Sequence, residues 1–69
     1  MNGLNQKASE FPDSPGVYRF FKNKKILYIG KAKSLKKRVK TYFGKSLKEF
    51  KTQKLVNQIT GMDFIETNN

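Results

Sequence analysis

The sequence contains no cysteine, no histidine and no tryptophan. Without cysteine, neither a disulfide framework nor a thiolate zinc site can support so short a chain. Without histidine, the commonest general base and the commonest metal ligand are both missing. Proton transfer would have to rest on tyrosine, lysine, arginine or a carboxylate. Carboxylates are scarce too: Glu10, Asp13, Glu49, Asp63 and Glu66 stand against fifteen lysines and arginines in 69 residues. No apolar run approaches a membrane span, and the polar start MNGLNQKASE lacks the apolar segment of a signal peptide. These absences predict a soluble cytoplasmic protein of one small domain, able to bury only about 60% of its unfolded surface.

What is present is positive charge, unevenly placed. Residues 19–54 hold fourteen basic residues and a single acidic one, Glu49. That density is the electrostatic footprint of a nucleic-acid binder. An anionic membrane surface would also attract it, but membrane binding needs a basic amphipathic helix with bulky apolar residues facing lipid. Here the apolar positions are needed for a core.

Residues 1–10 read as a tail or short leading segment, helical if ordered, and residues 11–69 as the domain. Phe11-Pro12-Asp13-Ser14-Pro15-Gly16 is a turn cluster. Residues 17–21 and 26–29 are β-branched and aromatic runs, and the polar residues 22–25 between them make an antiparallel hairpin. If paired residue numbers add to 46, Tyr18 faces Tyr28 across a loop of three residues (22–24) or five. Ser34 is a candidate N-cap for a helix to about Phe43, closed by Gly44. Leu35, Val39, Tyr42 and Phe43 share one face of that helix. A second helix over 50–60 buries Leu55 and Ile59, with Val56 flanking and Gly61 just past its end. A third strand follows over 62–67, with Phe64 inward.

The predicted architecture is a small α+β (α/β) sandwich, a three-stranded antiparallel sheet with flanking helices. Its predicted core is Val17, Leu27, Ile29, Leu35, Val39, Leu55, Ile59 and Phe64. Two helices cover one sheet face poorly, so a further helix is expected beyond Asn69 and the chain reads as truncated.

The hairpin delivers Tyr28-Ile29-Gly30 directly into Lys31, Lys33, Lys36, Lys37 and Arg38. Tyr18 and Tyr28, on adjacent strands, read by themselves as half-buried strand aromatics with wet hydroxyls. Arg38 adds a second possibility. With Leu35 at 0° and steps of about 100°, Arg38 falls near ~300° beside Tyr42 at ~340°, bordering the apolar face. Lys36, Lys37 and Lys40 fall at ~100–200° and point to solvent. A snorkelling arginine would simply cover apolar surface there. An arginine at a helix edge beside tyrosines is also how a fold grips one phosphate bidentately, and Lys31 can reach the same spot.

Gly16-Val17-Tyr18, Tyr28-Ile29-Gly30, Lys31-Ala32-Lys33, Leu35, Arg38 and Tyr42-Phe43 together resemble the GIY-YIG nuclease domain. Within that superfamily YIGKAKSLKKRVKTYF is most similar to the N-terminal domain of the excinuclease C family, the incision component of the excinuclease ABC system in bacterial nucleotide excision repair. The resemblance covers about residues 11–67, with Val17 in place of the isoleucine that names the first motif. It implies a metal-dependent DNA endonuclease cutting one phosphodiester on the 3′ side of a lesion. Its catalytic positions fall on Tyr18, Tyr28, Lys31, Arg38 and Tyr42. Tyr28, next to Lys31, is the preferred general base and Tyr18 the other candidate; Arg38 clamps the scissile phosphate and Tyr42 orients its neighbours. The nucleic-acid-binding lysines would be Lys33, Lys36, Lys37 and Lys40. The expected substrate is damaged double-stranded DNA presented in complex with excinuclease B, with no membrane and no small-molecule substrate.

The resemblance also implies Mg²⁺ or Mn²⁺, held by a glutamate on a helix after the third strand, with an asparagine later still. This chain ends before that helix, and neither Glu49 nor Glu66 matches the position. No metal ligand is therefore expected within it, no tight metal binding, and no activity on its own. Two other readings stay open: a GIY-YIG-like module that binds nucleic acid without cutting, and a basic scaffold that docks a repair partner.

Overall fold

The computed structural model describes residues 2–44 and 50–68. The elements run α1 (Asn2–Ser9), β1 (Gly16–Lys22), β2 (Lys25–Ala32), α2 (Leu35–Tyr42), α3 (Phe50–Gln58) and β3 (Gly61–Glu66). The three strands form one antiparallel sheet in the order β2-β1-β3, so the first strand is central. No helix among the described residues is long and apolar enough to cross a membrane.

The hairpin forms as the alternation predicts, but its register differs. Tyr18 pairs with Gly30 and Phe20 with Tyr28, whereas Phe21 pairs with Ile26 and Lys22 with Lys25. Two causes act together. The loop is only Asn23-Lys24, both at positive φ (51° and 74°), the pattern of a type I′ turn whose twist suits a hairpin. Leu27 is then an extra, unpaired residue, a β-bulge that shifts the ladder by one. The tyrosines are therefore diagonal neighbours on one face, not direct partners.

That face is the core face. Tyr18 and Phe20 are buried with Ala8, Phe11, Leu35, Val39, Ile59 and Met62. Leu27, Leu55 and Phe64 pack against this cluster only partly buried. Val17 and Ile29 belong to the opposite face, where Ile29 is 52% exposed and Ile65 58%. The expected core therefore holds at Leu35, Val39 and Ile59 and fails at Val17 and Ile29, because side chains alternate and β1 turns its even-numbered residues inward. On the opposite face Arg19 grips Asp63 bidentately, Nε to Oδ1 at 2.8 Å and a terminal nitrogen to Oδ2 at 2.5 Å. Its guanidinium also lies 5.2 Å from the Phe21 ring centre.

The leading segment is helical rather than a tail, because Ala8 and Leu4 have a core to join. The turn cluster has a specific task. The Ser14 and Pro12 carbonyls accept from the Leu35 and Lys36 amides at 2.9 and 3.0 Å, and the Ser34 hydroxyl accepts from the Lys37 amide at 3.3 Å. Ser34 is thus the N-cap expected, and its own hydroxyl proton goes to Asp13. The first amides of α2, which a helix leaves without partners, are all satisfied. Gly61 does not cap α3: that helix ends at Gln58, Ile59 enters the core, and Gly61 opens β3 without a positive φ. Glu49 lies outside the described residues.

Gly30 is constrained by contact. A Cβ there would overlap the Tyr18 ring carbon and hydroxyl, while one at Gly61 would meet nothing within 4 Å. Gly30→Ala is expected to cost about 1–3 kcal/mol through overpacking, lowering the melting temperature by roughly 4–8 °C per kcal/mol. Gly61→Ala should stay within about 0.5 kcal/mol. At the turn, Lys24→Gly should raise stability by up to about 1–2 kcal/mol, since glycine takes a left-handed backbone without the Cβ clash. Thermal unfolding followed by circular dichroism tests all three, and equal losses at Gly30 and Gly61 would contradict the packing account.

Candidate active site

Tyr18 occupies the middle of the central strand, 1% exposed, with its ring laid over Gly30. A buried phenol must find a partner for its hydroxyl. Tyr42, on the last turn of α2, supplies it: the two hydroxyl oxygens are 2.9 Å apart. Tyr28 completes a triangle of rings, with centroids 6.1 Å from Tyr18 and 6.5 Å from Tyr42, and Tyr18–Tyr42 at 5.9 Å. Phe20 is the floor beneath them, 5.0 Å from Tyr42, 5.3 Å from Tyr18 and 6.3 Å from Tyr28. Tyr28 is the most open of the three, 41% exposed, while Tyr42 is half-buried.

Arg38 lies one turn before Tyr42 on the same helix and reaches the triangle from the solvent side. Hydrogen bonding to the Tyr18 oxygen, then the charge interactions with Tyr18, Tyr42 and Tyr28, raise its pKa above the ordinary arginine value. Burial, the hydrogen bond to Tyr18 and the neighbouring phenols push the Tyr42 hydroxyl well above the ordinary tyrosine range, with Arg38 opposing. Tyr42 therefore keeps its proton, and either hydroxyl can donate in the bond it shares with Tyr18. Arg38 is left as the charge at the mouth of the cluster.

Beside Arg38 lies an open cleft of about 360 Å³ between α2 and the turn that follows β2. Lys31, Lys33, Ser34, Lys37, Arg38 and Thr41 line it. Sequence spacing treated Lys37 as one of a solvated stripe with Lys36 and Lys40. The fold separates them, placing Lys37 on the cleft and leaving Lys36 and Lys40 off it. Lys31 is not beside Tyr28. It pairs with Val17, on the face opposite to Tyr28, and meets Arg38 only where the strand runs out into the cleft.

Two members of the site escaped the sequence reading: Phe20 as the floor and Gly30 as the seat of Tyr18. The glycine of Tyr28-Ile29-Gly30 was a visible signal for the second, but its partner depends on register.

No group of three acidic residues able to hold a cation exists among the described residues. Each nearby carboxylate is already engaged: Asp63 with Arg19, Asp13 with the Ser34 hydroxyl, and Glu66 with the Ser14 hydroxyl at 2.6 Å. The described residues do not by themselves fit a divalent metal.

This arrangement has close relatives. The family model of the UvrC-like GIY-YIG domain matches residues 14–69. UvrABC system protein C of Borrelia duttonii is 45% identical over 69 residues, 99% of this chain and 11% of that protein. The Thermus thermophilus protein of the same name is 44% identical over 62 residues, 90% of this chain and 10% of that protein. The crystal structure of the N-terminal endonuclease domain of UvrC from Thermotoga maritima, bound to magnesium as its catalytic divalent cation, superposes with a TM-score of 0.87 at 28% identity. That match covers 100% of this chain and 75% of the crystallised one. The chain thus spans about a tenth of the length of the curated relatives it matches. With hairpin, tyrosine triangle and Arg38 in place and the family model covering most of its length, the chain belongs to the UvrC-like GIY-YIG domain family.

Proposed function

We infer that this chain carries the phosphodiester-binding and proton-transfer part of a DNA-repair endonuclease that cuts one strand on the 3′ side of a lesion. Its substrate is damaged duplex DNA in the cytoplasm, presented by the other components of a UvrABC system. The observation that carries this reading is Arg38, a guanidinium set at the mouth of three clustered phenols.

A guanidinium there binds a phosphate bidentately and opposes the charge that grows on its oxygens in the transition state. Tyr28 is the phenol that a water molecule can reach, since Tyr18 is sealed and tied to Tyr42. Tyr28 is the general base that takes a proton from the attacking water, with the Arg38 charge beside it. Tyr18 and Tyr42 are positioning residues that fix Arg38 and the Tyr28 ring. Lys31 approaches the same phosphate from the cleft side. Among cations, magnesium or manganese would supply Lewis-acid assistance, its carboxylate ligand coming from outside the described residues.

In a chain extended to the full length of the crystallised relatives, Arg38→Ala should lower single-turnover nicking by about 10²–10³-fold. Arg38→Lys should not rescue it, because an ammonium cannot reproduce the fork. Lys40→Ala, off the cleft, should leave the rate within a few-fold. Equal losses at Arg38 and Lys40 would reduce Arg38 to one more surface cation. Duplex binding without any nicking would favour a purely binding module.

A second outcome concerns pH. Tyr42 has a raised folded-state pKa, so its contribution to stability is complete below the unfolded value of 10.0 and is lost as pH rises beyond it. Alkaline titration by tyrosinate absorbance should show one phenol ionising late, and Tyr42→Phe should remove that step. Its persistence in the variant would contradict the assignment.

A further inference from the structure

We propose that the cleft beside Arg38 is a second phosphate site, which holds the backbone phosphate next to the one at Arg38, with Lys33 and Lys37 as its binding residues. The inference rests on the nuclease reading and deepens it: one flank of α2 carries the strand and the other does not.

Charge and geometry support it. The only ion pair among the described residues is Arg19–Asp63, on the far side of the sheet, so no carboxylate pairs with the cations of the cleft. Its hydroxyls are not available as donors, because Ser34 gives its proton to Asp13 and Thr41 donates to the Arg38 carbonyl at 2.6 Å. The helix terminus is not available either, since the first amides of α2 bond to Ser14, Pro12 and Ser34. Attraction therefore falls to the ammonium groups. Arg38 is shared with the phenols, and Lys31 and Lys33 line both this cleft and a hollow at Gly16, Val17 and Thr67. Lys37 has no such second engagement, and Lys33 lines the cleft directly before the Ser34 cap.

A ligand held by ammonium groups alone is recognised by charge and not by base identity, as a sugar–phosphate backbone is. The cleft abuts Arg38, so a strand with one phosphate on the guanidinium runs its neighbour into the cleft. Lys36, whose amide is fixed to Pro12 at 3.0 Å, and Lys40 do not line the cleft. The site would thus fix the direction in which the strand crosses the tyrosine triangle.

The test uses the 69-residue chain and a labelled undamaged duplex, with anisotropy measured across a salt series. Lys33→Ala and Lys37→Ala should each weaken binding about 3–10-fold and flatten the log–log salt slope by about 0.9. Lys40→Ala should stay within about two-fold, and Lys37→Arg should retain binding. A parallel titration with inorganic phosphate, read by amide chemical shifts, should perturb Lys33, Ser34, Lys37 and Thr41 above the rest. Equal losses at Lys37 and Lys40, or shifts spread along both flanks, would overturn the cleft while leaving the nuclease reading intact. A wild-type chain that binds neither duplex nor phosphate would overturn both.

Discussion

The structure turns on a single buried hydroxyl. Tyr18 is placed in the central strand with its ring against Gly30, and its polar tip is buried with it. Leaving such a group unpaired costs about 1–3 kcal/mol, so the Tyr42 hydroxyl at 2.9 Å is a structural necessity as well as a site feature. That bond ties the sheet to the last turn of α2, beside the packing of Leu35 and Val39 on Tyr18 and Phe20. It also accounts for the glycine, because only a residue without a side chain lets the ring settle there.

Once the sheet and α2 are joined at Tyr42, Arg38 has little choice of position. It lies one turn earlier, on the edge that faces the phenols. The other end of α2 is held independently, by the carbonyls of Pro12 and Ser14 and by the Ser34 cap. A helix anchored at both ends gives its side chains defined directions, and this is what a bidentate grip on phosphate requires. The Phe11–Gly16 turn is therefore part of the site's support although none of its residues enters the site.

The placement of charge follows the same logic. Arg19, the one arginine besides Arg38, is neutralised by Asp63 on the face away from the phenols. Among the described residues, the cations near the triangle have no such partner. Unpaired positive charge thus stands where α2 meets the end of β2, and the apolar residues Ile29 and Ile65 belong to the opposite face of the sheet.

Much of this was legible in the residues themselves. Alternation fixed the hairpin, the apolar spacing fixed α2, and Ser34 declared its cap, because these depend on neighbours within a few positions. The helical wheel likewise placed Arg38 beside Tyr42. Register was not legible: a two-residue turn at positive φ and a bulge at Leu27 move Tyr18 from Tyr28 to Gly30, and composition does not encode either step. Nor was the inward face, since Val17 and Ile29 are as apolar as Phe20, and only packing against α2 decides which set is buried. The separation of Lys37 from Lys36 and Lys40 has the same origin. Local sequence sets each residue's angle about the helix axis, but the cleft that Lys37 lines depends on the angle at which α2 leaves the end of β2, and packing of the two elements sets that angle.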